Sequence, residues 1–230
     1  MPTSRVNHVP AIVSLIRQLR PASTLDVGVG FGKWGHLFRE YTDIVAANHD
    51  PRRYQREHWQ TRIDGIEGHE PYITPMHRYL YNDIYLGDMR DVIHRLGRYD
   101  VIFMGDVIEH LDKADGEAFL LACLEHADKA VIASTPGSFV EQSGVCGNPL
   151  EAHRSFWTVT DFERFGRCVA RVTENDILVA VLLKEGAPLV AIDALAHRPK
   201  KKKNFLGGLR AAAKPVLIKL RLRRDPAATV

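Results

Sequence analysis

Three things are scarce in this 230-residue chain: long apolar runs, cysteines in pairs, and an uninterrupted apolar start. No stretch of about 18 apolar residues occurs, so no membrane-spanning helix is expected. The first 21 residues are broken by Arg5, Asn7, His8, Arg17 and Gln18, which excludes the apolar core of a secretory leader. The three cysteines, Cys123, Cys146 and Cys168, stand far apart with no C-x-x-C among them. They read as buried or loop thiols in a reducing, cytoplasmic compartment. What is present is ordinary globular composition, 45% hydrophobic and 26% charged, with length enough for one domain and a sizeable core.

The net charge of +3 hides two populations. Residues 198–230 hold 11 Lys/Arg and one acid, whereas the rest of the chain holds 20 basic and 27 acidic residues. The composition therefore divides the chain into a domain over 1–196 and a basic amphipathic tail over 197–230. In the tail, leucines alternate with Arg210, Lys214, Lys219, Arg221, Arg223 and Arg224, and Pro215 splits any helix into two short pieces. Such a segment suits an anionic membrane surface, held peripherally, or a nucleic acid. No aromatic residue beyond Phe205 is interleaved for base stacking, which favours the membrane over nucleic acid. A disordered solubilising tail is the other reading.

The domain is organised around residues 24–35, Thr-Leu-Asp-Val-Gly-Val-Gly-Phe-Gly-Lys-Trp-Gly. A short apolar strand ends in alternating glycines and opens into a helix, the pattern of a nucleotide-binding turn. A dinucleotide fingerprint, G-x-G-x-x-G, would need its third glycine at position 33, where Lys33 stands. The glycine comes one residue early, at Gly32. This Gly28-x-Gly30-x-Gly32 form, preceded by Asp26, resembles motif I of the class I S-adenosylmethionine-dependent methyltransferases.

Hydrophobic periodicity predicts helices over 6–19, 33–41, 71–81, 89–96 and 114–127, with one more starting at Thr160. It predicts strands over 25–29, 83–86, 99–105, 129–134, 168–172 and 177–183. The second strand is either 43–50, ending in Asp50, or 62–67, ending in Glu67; Asp-Gly-Ile-Glu favours the latter and makes 51–59 an insertion. Alternating strands and helices argue for a parallel sheet covered on both faces. The expected fold is α/β, a Rossmann-like seven-stranded, mostly parallel sheet with a reversed last strand, which the closing strand pair matches.

The resemblance covers residues 6–186 and implies a cofactor, S-adenosyl-L-methionine, with Asp26, Gly28, Gly30, Gly32, Glu67, Asp88, Met89 and Asp106 around it. In that family a carboxylate after the second strand takes the ribose hydroxyls, the role of Glu67. An acid and an apolar residue after the third strand meet the adenine, the roles of Asp88 and Met89; Asp88 also suits a helix cap.

The chemistry then asks for a base. A hydroxyl acceptor is a weak nucleophile until its proton leaves, and histidine is the usual acceptor of that proton near neutral pH. His110 and His153 are the candidates, with Arg154 to clamp a carboxylate or phosphate and Phe156 and Trp157 to wall the pocket. Asp106-Val-Ile-Glu109-His110 also resembles the Glu-x-x-Glu-His metal segment of ubiquinone-pathway O-methyltransferases and small-RNA 2′-O-methyltransferases. On a helical turn, Asp106, Glu109 and His110 would share a face and suit Mg²⁺. Asp stands where those families carry Glu, and the expectation is a site without metal. The expected function is O-methylation of a small-molecule or sugar-like acceptor. Its alternatives are an RNA or protein methyltransferase guided by the basic tail, or a non-catalytic cofactor-binding module. The acidic-Pro-Pro-aromatic motif of N-methylation is missing after residue 105, and Lys33 disfavours NAD.

Overall fold

A computed structural model describes residues 3–192 except His49 and Cys146. The basic tail over 197–230 lies outside the described residues. Those that are described fall within the single unit Met1–Ala196.

Seven strands form one sheet: β1 (Ser23–Val27), β2 (Arg62–Glu67), β3 (Ile84–Leu86), β4 (Tyr99–Gly105), β5 (Ala127–Pro136), β6 (Cys168–Val172) and β7 (Ile177–Leu183). Their order is β3-β2-β1-β4-β5-β7-β6. All neighbours up to β5 are parallel; β7 runs antiparallel between β5 and β6. This is the Rossmann-like, mostly parallel sheet with a reversed last strand that the sequence predicts. The second strand is Arg62–Glu67. The rival segment around Asp43 instead extends a helix, and Asp50 caps a short 3₁₀ turn at Pro51–Tyr54.

The central strands are apolar throughout because both faces are covered. Val101 and Phe103 of β4 face α1 (Val9–Leu19), α2 (Lys33–Arg39) and α3 (Pro75–Leu80), through Ile12, Leu15, Ile16, Trp34 and Phe38. Ile102 and Met104 face the opposite layer of α4 (Met89–Val92), α5 (Lys113–His126) and α6 (Val159–Glu163), through Val92, Phe119, Leu120 and Phe162.

Several boundaries differ from the sequence reading, each for a local reason. β1 stops at Val27 rather than residue 29, because Gly28 turns the chain at φ +76°. The 71–81 helix is two pieces, since Thr74 caps α3 afresh: the Thr74 and His77 side chains reciprocate hydrogen bonds with each other's backbone N–H. β5 runs longer than 129–134 because β7 pairs with it out to Pro136 and Tyr99 of β4 pairs with Ala127.

The insertion is pinned by one buried ion pair. The Arg39 guanidinium donates to Asp43 at 2.6 Å, to the Thr61 carbonyl at 2.6 Å and to the Leu80 carbonyl at 3.0 Å, and lies 4.3 Å from the Trp59 ring. Asp43 in turn accepts from the Gln60 and Thr61 N–H groups and from Arg53. Both Asp43 oxygens and both terminal nitrogens of Arg39 are thus bonded, with only the Arg39 Nε left without a partner, close to the full satisfaction under which a buried ion pair holds. Removing one partner strands the other. We expect Asp43→Ala to lower unfolding free energy by about 3–5 kcal/mol in urea titrations; a loss under about 1 kcal/mol would show that the clamp carries no weight.

Candidate active site

A cleft of about 390 Å³ lies across the C-terminal ends of β1 to β4, where open α/β sheets bind ligands. Its floor is the glycine bend. The Gly28 and Val29 N–H groups both donate to the Ile66 carbonyl, so the bend peels directly off the β1–β2 pairing. A Cβ on Gly28 would stand 2.5 Å from the Val107 side chain, and its positive φ independently requires glycine.

Glu67, at the end of β2, closes the bend. One carboxylate oxygen accepts from the Gly30 N–H and the other from the His69 N–H, both at 2.8 Å. Burial raises its pKa above the usual carboxylate range, and the two N–H donors oppose that rise. Asp50 is outside this cleft, paired to Arg52. Asp88 and Met89 line the cleft beyond β3. The Asp88 carboxylate accepts from the Arg90 N–H at 2.9 Å, capping α4, and pairs with the Arg90 guanidinium, which reaches on to Asp115.

Two of the residues expected at the cofactor do not line the cleft. Asp26 lies beneath the bend, fully buried, accepting from the Tyr81 hydroxyl at 2.6 Å. Burial raises its pKa well above the carboxylate range. Gly32 faces the other way, against the His77 ring. Strand alternation sends Asp26 into the layer below, and the turn at Gly30 rotates Gly32 off the mouth.

Asp106 lines the cleft after β4 with φ +54°, a left-handed conformation costly for a side chain other than glycine. The amino-terminal segment packs on it. Ser4 donates to the Gly105 carbonyl and accepts from the Trp34 indole, and the Lys33 ammonium holds the Ser4 carbonyl. His8 Nε2 lies 3.5 Å from the Asp106 carboxylate, while His8 Nδ1 meets the Ser134 hydroxyl at 2.9 Å. Burial, with the charges of Lys33 and Arg5, pushes His8 down to about 4, so near neutral pH this contact is polar rather than ionic. Burial lifts Asp106 to about 6 against the pull of Ser4, Arg5 and Lys33.

The left-handed turn also separates Asp106 from Glu109 and His110, which sit on a 3₁₀ turn, Ile108–His110. The three do not share a helical face, as the sequence had suggested. Among the described residues it is instead Glu109, His110 and His153 whose ligating atoms fall within 4.8 Å of one another. His110 Nδ1 is 3.1 Å from the Ala152 carbonyl, and His153 Nδ1 is 2.6 Å from the Val140 carbonyl. A carbonyl only accepts, so both Nδ1 atoms carry a proton, and Nε2 is the acceptor of either ring in its neutral form. Burial lowers the His110 pKa. Neither buried oxygen of Glu109 has a hydrogen-bond partner, the Thr135 hydroxyl facing it outside bonding geometry. Burial, reinforced by the charge of Asp106, raises its pKa well above the carboxylate range.

His110 and Arg154 line the cleft; His153 lies behind them, on a small pocket with Phe139 and Phe156. Arg154 is half exposed and 3.9 Å from Asp112, while its N–H donates to the Glu109 carbonyl. Trp157 is no pocket wall. It is fully buried against Phe162, with the Lys113 ammonium 3.8 Å from its ring.

Sequence reasoning passed over Tyr72, Asn148 and Glu151, which join two loops over the mouth: the Tyr72 hydroxyl donates to Glu151 and accepts from the Asn148 amide. No local pattern marks such a long-range contact. It also passed over His77 and Tyr81, whose spacing of four puts them on one helical face, a signal available in the sequence.

No family model matches the chain, and no curated protein matches it. Solved structures share its fold. DhpI bound to SAH is 14% identical, over 74% of this chain and 82% of that one, with a TM-score of 0.51. DhpI with SAM and HEP is 14% identical over 76% and 86%, at 0.53. The small RNA methyltransferase HEN1 is 17% identical over 80% of this chain but 25% of its own, at 0.54. What they share with this chain is the Rossmann-like, mostly parallel sheet with a reversed last strand. No helix among the described residues is long and apolar enough to cross a membrane.

The enclosed His8 gives a direct check on the packing of the amino-terminal segment. Its ring resonances are expected to stay those of a neutral imidazole down to pH 5 and to titrate near 4. A midpoint of 6–7 in NMR titration would mean that the segment leaves the cleft open to water.

Proposed function

We propose that this chain is an S-adenosylmethionine-dependent methyltransferase acting on a hydroxyl of a small-molecule or sugar-like acceptor. The observation that carries the reading is Glu67. Its carboxylate is tied to the Gly30 N–H at the floor of a 390 Å³ cleft, with Asp88 and Met89 at the same edge of the sheet. These residues fit a nucleoside: Glu67 for the ribose hydroxyls, Asp88 and Met89 for the adenine amine and ring, and the bend with Asp106 for the remainder. The bound cofactor supplies a methyl group already activated on a sulfonium, ready for direct displacement.

The protein's part is alignment, exclusion of water and removal of one proton. His110 is the base in this reading. Its Nδ1–H is committed to Ala152, which fixes the ring and leaves Nε2 to accept the acceptor's proton, and burial keeps the ring neutral. His153 holds the same tautomer behind it, and Arg154 stands at the mouth to orient an anionic group on the acceptor. An RNA acceptor, as for HEN1, is the alternative substrate class.

A second reading has its own observation. Glu109 is buried with both oxygens unpartnered, and it, His110 and His153 each bring one ligating atom within 4.8 Å of the others. Two histidines and a carboxylate are a donor set for a divalent transition metal or zinc, and second-shell carbonyls fix both rings in the ligating tautomer. A cation held there would lower the pKa of an acceptor hydroxyl.

The tests separate these readings. S-adenosylhomocysteine is expected to bind in calorimetry where NAD does not, and Glu67→Ala to weaken it by about 10- to 100-fold, the worth of one charge-assisted hydrogen bond. His110→Ala is expected to cut turnover by about 10²–10⁴-fold while keeping cofactor affinity. Binding of S-adenosylhomocysteine with no transfer to any hydroxyl acceptor would leave a binding module. Turnover that survives chelation assigns His110 as the base; turnover lost to chelation and restored by a divalent cation assigns the metal.

A further inference from the structure

His77 of α3 and Tyr81, the residue at its C-cap, lie outside the cleft, are unused in the chemistry above, and make three hydrogen bonds with the glycine bend and its base. His77 Nδ1 accepts from the Thr74 N–H at 3.0 Å, so its proton is on Nε2, which donates to the Gly30 carbonyl at 3.0 Å. One turn further on, the Tyr81 hydroxyl donates to Asp26 at 2.6 Å and accepts from the Gly35 N–H at 3.1 Å. The two rings stack with centroids 6.4 Å apart. Gly30 is thereby held by both of its backbone groups, the N–H by Glu67 and the carbonyl by His77.

The surrounding sequence makes room for this. A Cβ on Gly35 would stand 2.2 Å from the Tyr81 ring, and none of the atoms it meets is a flexible chain end. Gly35 lies beyond the G-x-G-x-G pattern and has no part in the mouth. Its need is the close approach of a phenol. Tyr81 is about 1% exposed and His77 fully buried, so neither reaches a ligand in the cleft. They act on it only through the bend.

We propose that His77 and Tyr81 are positioning residues, a strut from α3 that fixes the bend in its ligand-receiving shape. The consequence for affinity rests on the methyltransferase reading, whereas the consequence for the bend does not. Without the strut, the bend is set by Glu67, the Ile66 carbonyl and its own Gly32 N–H to Val29 carbonyl bond, and samples shapes in which the Gly30 N–H leaves the Glu67 carboxylate. The ligand-competent fraction falls, and apparent affinity falls with it.

Two substitutions at one position separate strut from fold. His77→Gln keeps an N–H donor where Nε2 stood; His77→Asn keeps a polar group at the Nδ1 position, near Thr74, and loses the reach to Gly30. Tyr81→Phe removes only the hydroxyl. Hydrogen exchange by mass spectrometry on the full chain without ligand is expected to show faster exchange over residues 28–35 in His77→Asn and Tyr81→Phe, with His77→Gln close to the parent. S-adenosylhomocysteine affinity is expected to fall about five- to twentyfold in the first two and to recover in His77→Gln. If His77→Asn and His77→Gln leave exchange over 28–35 alike and unchanged while both lower the melting temperature, the residues only support the fold and the proposal is wrong. If the parent protein binds no S-adenosylhomocysteine, the cofactor reading fails, and the exchange comparison still decides the strut.

Discussion

The Gly30 N–H donated to the Glu67 carboxylate joins the ends of two adjacent parallel strands, and the cleft exists because that contact does. Parallel pairing between β1 and β2 brings Val27 level with Ile66, so Gly28 leaves the sheet at the height of Glu67, which still pairs with Leu86 of β3. Gly28 turns away at positive φ, Glu67 remains, and the gap between them becomes the mouth. A carboxylate buried there costs free energy unless donors compensate it, and two backbone N–H groups do so. The arrangement also leaves each oxygen a further lone pair, which is what a ligand hydroxyl needs.

The layers of the fold were legible because both faces of the sheet are covered and period and length agree. β4, β6 and β7 fall at the boundaries that periodicity predicts, since their apolar runs are bounded by charged or turn residues. The boundaries that moved are those set by a single turn or cap: Gly28 at the end of β1 and Thr74 at the start of α3. Within the site, the strand-end acids were visible from their place after each strand. The fate of Asp106 was not. Its left-handed backbone turns it toward His8 and Ser4, and no spacing rule anticipates a non-glycine residue there. Trp157 illustrates a second limit: an aromatic in a long loop reads as a pocket wall, yet tertiary packing gave it to the core.

The loop after β5 is long because it does two jobs. Its backbone carbonyls at Val140 and Ala152 fix the proton on each of two imidazoles, and its Asn148 and Glu151 side chains reach Tyr72 across the mouth. The Glu109 carbonyl anchors the same loop through the Arg154 and Ser155 N–H groups. Tautomer, ring orientation and the height of Arg154 are therefore set together by main-chain contacts, which side-chain substitution alters least.

The reversed direction of β7 decides at which edge of the sheet that strand ends. Leu183 pairs with Ala130, so β7 ends at the edge of the sheet where β1 and β5 begin, and Ala191 returns to Gln18 near the end of α1. That edge is opposite the mouth. A bulky label attached at Lys129, on that edge, would therefore leave the opening clear.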